Sequence, residues 1–74
     1  MNPVRVMEIK PRGEYVTLGQ ALKIAGVIDA GGQARGFLEA GQVLVNGESE
    51  DRRGRKLYPS DGITLPDGSQ IRIT

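Results

Sequence analysis

GQVLVNGESEDRRGRK, residues 41–56, is the stretch on which the fold turns. Val43 and Val45 stand two apart, so they share one side of an extended strand, and Asn46-Gly47 follows at once. Asn-Gly after such a run is the strongest short-range hairpin signal, because both residues tolerate the positive φ that a type I′ turn requires. The chain is therefore expected to reverse at Asn46-Gly47 and to bring Glu48 and Ser49 back beside Val45 and Leu44. What comes next changes sign abruptly. Glu48, Glu50 and Asp51 give way to Arg52, Arg53, Arg55 and Lys56, four of the chain's ten cations. These bases are expected on a protruding turn before Leu57 and Tyr58 re-enter the fold.

Downstream of the hairpin, Ile63 and Leu65, then Ile71 and Ile73, alternate with polar residues around Pro66-Asp67-Gly68, where proline at i+1 and glycine at i+3 suit a type I turn. Upstream, Ala34, Phe37 and Leu38 lie on one face and Arg35 and Glu39 on another, which describes a short helix starting within a residue or two of Gly31 and stopping at Gly41. Asp29 is a good capping residue for it, whereas Gly31 and Gly32 are poor helix formers and could equally belong to the loop. An earlier helix begins at Leu18. Thr17-Leu18-Gly19-Gln20 fits the capping box, Leu18, Ala21, Leu22 and Ala25 draw one apolar stripe, and Gly26 stands where a left-handed residue ends a helix, with Val27 folding back on Leu22. Val4 to Ile9 reads as a short strand closed by Pro11 and Gly13. The expected architecture is α+β: an initial strand, then two short packed helices followed by a small antiparallel sheet.

Composition narrows the rest. At 74 residues the chain covers one domain, residues 1–74. Such a chain buries only about 60% of the surface its unfolded form exposes. Its core yields ~3–5 kcal/mol. There is no cysteine to add a disulfide, which also removes any argument for an oxidising compartment. No stretch approaches the ~20 apolar residues that span a bilayer, and the N-terminus lacks the pattern of a signal peptide. The expectation is a cytoplasmic protein with no membrane partner, and a monomer, since nothing resembles a coiled-coil seam. The chain has neither histidine nor cysteine, which takes away the commonest general base, the thiol nucleophile and the commonest metal ligands. Ser49, Ser60 and Lys23 lie in no recognisable catalytic motif, so no enzyme, cofactor or metal site is expected.

Leu18-Gly19-Gln20-Ala21-Leu22-Lys23, Gly31-Gly32-Gln33-Ala34-Arg35, Gly41-Gln42-Val43-Leu44-Val45-Asn46-Gly47 and Arg52-Arg53-Gly54-Arg55-Lys56-Leu57 occur in the order and spacing of the S4 RNA-binding domain. Over residues 14–65 the chain most resembles the small stand-alone bacterial S4 proteins of the YaaA and YbcJ type. Each piece alone is weak, and the combined order is specific. The resemblance implies the α-L (S4-like) fold, RNA binding without catalysis and a bacterial cytosolic setting, with structured RNA, either ribosomal or tRNA-like, and the ribosome as partners. It also implies that the second helix and the hairpin form one RNA-facing surface, with Gln33, Arg35 and Asn46 beside the basic turn. Two positions depart from the family pattern. Ala30 stands where a serine is common, and Ser60-Asp61-Gly62 replaces the usual Gly-Asp, which alters a turn more than a contact surface.

The chemistry of the candidate residues fits phosphate. Arginine offers five N–H groups in a planar fork, and Arg52, Arg53 and Arg55 with Lys56 present three such forks and an ammonium on one turn. The start of the second helix is a second candidate, because its first amides are unpaired, Gly31 and Gly32 have no side chains to hold a phosphate away, and Arg35 lies one turn in. Each residue also has a structural reading. The basic run could pair with Glu48, Glu50 and Asp51 in a self-neutralising loop. Asn46 is demanded by its turn whatever the function, and Arg35 could pair with Glu39. Phe37 belongs to the core, and Tyr58 is the one candidate for stacking on a base. With aromatics so sparse, recognition of a folded RNA's shape and phosphate path is favoured over reading of splayed single strands. A module that docks to a ribosomal or replication protein is the alternative.

Overall fold

The computed structural model describes residues 5–28 and 36–74. Over them the chain runs β1 (Val6–Ile9), β2 (Val16–Thr17), α1 (Leu18–Ile24), helical residues 36–39, β3 (Leu44–Val45), β4 (Glu48–Ser49), β5 (Lys56–Leu57), β6 (Gly62–Thr64) and β7 (Gln70–Ile73). The hairpin forms as its sequence demands. Asn46 and Gly47 have φ of 52° and 85°, and Leu44 pairs with Ser49 and Val45 with Glu48.

Helix α1 is bounded by local chemistry at both ends. The Gln20 amide donates to Thr17 Oγ1 at 3.3 Å and the Thr17 amide to Gln20 Oε1 at 3.0 Å, which completes the capping box. At the other end the Val27 amide reaches the Leu22 carbonyl at 2.9 Å and the Gly26 amide reaches Lys23 at 3.0 Å. This Schellman closure needs a left-handed residue, and Gly26 supplies it at φ 77°.

The sheet departs from expectation in two respects. It is five-stranded, in the order β1-β7-β6-β3-β4, and β1 runs parallel to β7, from Val6 beside Gln70 to Ile9 beside Ile73. The sheet is therefore mixed, and its parallel pair joins the two ends of the chain through a long crossover that contains the helices. The second departure is β2. Val16 and Thr17 pair antiparallel with Leu57 and Lys56 of β5 in a separate ribbon, where no strand is expected from a two-residue pattern. The start of the second helix, expected near Gly31, lies outside the described residues. Its later turn places Leu38 in the same buried cluster as Leu18, Ala21 and Leu22 of α1.

That cluster is closed by the inward residues of the strands, Ile9, Val16, Val45, Leu57, Ile63, Ile71 and Ile73, and by Val43 just before β3. On β7 the alternation is complete, with Ile71 and Ile73 buried and Gln70 and Arg72 exposed, as a sheet with one face on the core requires.

The departure at Ser60 has a visible consequence. The Asp61 amide bonds to the Tyr58 carbonyl at 2.9 Å, so Tyr58 to Asp61 is a β-turn with Pro59 at i+1 and Ser60 at i+2. Ser60 is held at φ 85°, in the left-handed region that costs a non-glycine residue about 1–2 kcal/mol. Ser60→Gly is therefore expected to stabilise the fold by about 1 kcal/mol net of glycine's entropy. Thermal denaturation followed by circular dichroism checks this as a rise in Tm of about 4–8 °C, and an unchanged or lower Tm would show that the turn is not strained.

Candidate nucleic-acid interface

The basic turn is fixed by its own backbone. The Arg55 amide closes it on the Arg52 carbonyl at 3.2 Å, and two of its carbonyls then accept the first amides of α1: Leu18 donates to Arg55 at 2.9 Å and Gly19 to Arg53 at 2.8 Å. Helix starts leave such amides without intrahelical partners, and here the turn satisfies two of them. Gly19 permits the approach, since a Cβ at that position would sit 3.3 Å from both the Cβ and the carbonyl oxygen of Arg53. The turn is thus docked through its main chain, while Arg52, Arg53 and Lys56 are exposed and Arg55 is half-buried.

Glu50 organises the side chains. Its residue is buried, and both carboxylate oxygens are engaged. Arg52 donates from Nε to Oε2 at 3.1 Å and from Nη2 to Oε1 at 3.0 Å, and Arg55 donates from Nη1 to Oε1 at 3.0 Å. The amides of Asp51 and Arg52 add bonds to Oε2 at 3.1 and 3.3 Å. The Arg52 fork, then that of Arg55, holds the Glu50 carboxyl well below its usual 4.5, at about 2, against the opposing effect of burial. The self-pairing reading is thus partly right, with Glu50 as the acid that takes two of the arginines. Yet the Arg52 side chain remains 72% exposed while paired, and that of Arg55 31%. Arg52 uses two side-chain N–H groups of its five on Glu50, which leaves an outward-facing edge of the guanidinium for another acceptor.

Asn46 is bound within the protein. Its Nδ2 donates to Asp61 Oδ1 and its Oδ1 accepts the Gly62 amide, both at 3.0 Å, while its own amide donates to the Gly62 carbonyl at 2.9 Å. Asp61 Oδ2 accepts the Tyr58 amide at 2.8 Å, and that bond, then the one from Asn46, pulls the Asp61 carboxyl below its usual range. The Asn46 turn and the segment leaving β5 are therefore braced together through Asp61.

The β2–β5 ribbon carries an aromatic pair that the sequence reading separates. The register of Val16 with Leu57 and Thr17 with Lys56 sets Tyr15 beside Tyr58. Their ring centroids are 6.0 Å apart with the planes at 53°, and Lys56 Nζ lies 4.9 Å from the centre of the Tyr15 ring. Among the residues expected at the interface, Arg52, Arg53, Arg55 and Lys56 come together on one turn. Gly31, Gly32, Gln33 and Arg35 lie outside the described residues. The sequence reading offered Glu50 only as one of three acids able to pair with the basic turn, and it missed Tyr15. The hairpin register held the signal for Glu50: continuing the ladder sets it opposite Val43, and its amide does bond to the Val43 carbonyl at 3.0 Å.

A family model described as the S4 domain matches residues 9–74. The "Probable ribosome maturation protein RlbA" of Bacillus subtilis (strain 168) is 54% identical over 52 residues, covering 70% of this chain and 73% of that protein. No solved structure matches the chain.

Proposed function

This chain belongs to the S4 domain family, and from that premise we propose that it is a non-catalytic RNA-binding module with a ribosome-related role in the cytoplasm. It takes structured RNA, ribosomal or tRNA-like, along the phosphate path. Arg52, Arg53, Arg55 and Lys56 supply the donors, and the start of the second helix, with Gly31, Gly32, Gln33 and Arg35, extends the surface. Asn46 braces the hairpin beside them. The ribosomal setting rests on the likeness to a protein whose name gives it a part in ribosome maturation.

One observation carries the reading: Arg52 is oriented by a buried carboxylate and still turns most of its side chain to solvent. A fork held in place and left open has less freedom to lose when it meets a phosphate. The alternative, docking to a ribosomal or replication protein through the sheet edge or the exposed basic turn, has no comparable observation behind it. Of the sheet's two edge strands, β4 is only two residues long, both exposed, and offers little ladder for an added strand, while β1 offers four residues, Val6–Ile9. Among the described residues, no helix is long and apolar enough to cross a membrane.

The reading is tested by measuring affinity for a structured RNA across a range of salt. With ~4–5 phosphates engaged, log affinity should fall against log salt with a slope of roughly −3 to −4. Binding that is absent at low salt, or indifferent to salt, would exclude it.

A further inference from the structure

Tyr15 and Tyr58 stand side by side on the ribbon and are 40% and 46% exposed. The other side of the ribbon, Val16 and Leu57, is buried in the core. Tyr15, Thr17, Lys56 and Tyr58 thus occupy its outer side, and the basic turn runs into that side at Lys56 without a break. We infer that Tyr58, braced by Tyr15 and flanked by Lys56, stacks an unpaired nucleobase of the bound RNA. The inference rests on the RNA reading above and narrows its ligand to a folded RNA with an unpaired nucleotide next to the gripped phosphates.

The geometry decides how the base would sit. Inserting a base between the rings needs a parallel gap of about 7 Å, twice the stacking rise. The centroids are 6.0 Å apart and the planes are tilted by 53°, so the base must lie on an outer face. One face of Tyr15 is already covered by the Lys56 ammonium. Tyr58 is the more exposed ring, and its backbone is fixed on both sides, by the Asp61 carboxylate at its amide and by the turn bond at its carbonyl. A rigid, half-open ring beside cations is what single-stranded nucleotides stack on. Tyr15 then acts as a positioning residue whose ring limits the tilt of Tyr58.

The test uses three RNA duplexes of one sequence: fully paired, with a bulge of adenosines, and with the bulge nucleotides made abasic. The chain contains two tyrosines, one phenylalanine and no tryptophan, so its aromatic proton spectrum resolves each ring. The adenosine bulge should bind about 5-fold or more tightly than the abasic one, the lower end of what a stacked base contributes. It should also move the Tyr58 ring protons upfield. Tyr58→Ala should remove the preference while keeping affinity for the paired duplex, which also shows that the variant is folded, and Tyr58→Phe should retain the preference. Equal affinity for all three duplexes, or a preference that survives Tyr58→Ala, would overturn the stacking inference and leave the phosphate reading standing. Failure of the wild-type protein to bind any of them would overturn both.

Discussion

Replacing Arg52, Arg53 and Lys56 together by glutamine will weaken binding to structured RNA by on the order of 10²-fold at low salt. The three are exposed on one turn, so they act as a group, and glutamine removes charge without removing length. Arg55 is left in place because it still holds Glu50 when Arg52 is gone. The fold should therefore persist, as circular dichroism will show, with a loss of about 1 kcal/mol from the missing fork. The matched control is Lys23→Gln with Arg72→Gln. Lys23 lies at the end of α1 remote from the docked turn, and Arg72 lies on the open side of the sheet. Removing these charges should change affinity several-fold at most, since they act only through the screened long-range field. Equal losses in both variants would mean that net charge matters and the turn does not.

Glu50→Ala is expected to cost the fold about 2 kcal/mol, seen as a fall in Tm of about 8–16 °C. The figure lies below the ~3–5 kcal/mol typical of breaking a fully buried pair, because Arg52 is solvated when its partner is lost. In a domain whose core yields only ~3–5 kcal/mol, that loss is a large share. The pH dependence follows from the same carboxylate. Its folded pKa is depressed, from 4.5 to about 2, so its contribution is fully present above pH 4.5 and is lost as pH falls through 2. Urea unfolding between pH 5 and pH 2 should show a steeper acid decline in the wild type than in Glu50→Gln. Parallel declines would mean that the Glu50 pairing adds nothing to stability.

The features legible in the sequence are those written in neighbouring residues. Thr17 and Gln20 cap a helix three residues apart, Gly26 ends it, and Asn46-Gly47 reverses the chain, because each depends on local φ or on a side chain that reaches its own backbone. What was missed depends on partners far along the chain. Val6 beside Gln70 is a parallel contact between the ends, and no local period encodes it. Tyr15 meets Tyr58 only through the register of a ribbon with two paired residues per strand, too few to show alternation. Gly19 reads as a weak helix residue until the Arg53 carbonyl is seen against it. At the interface, the cations were visible as a charge run, but their docking was not, since it depends on where Glu50 is buried and on which amides the turn satisfies.

In the proposed function, residues 52–56 hold RNA by its phosphates. The most direct test compares the salt dependence of RNA affinity in the wild type and in the Arg52, Arg53 and Lys56 glutamine variant. The slope of log affinity against log salt should become shallower by about 2 to 3, the share of three lost phosphate contacts. An unchanged slope would show that these side chains meet no phosphate and that the RNA is held elsewhere.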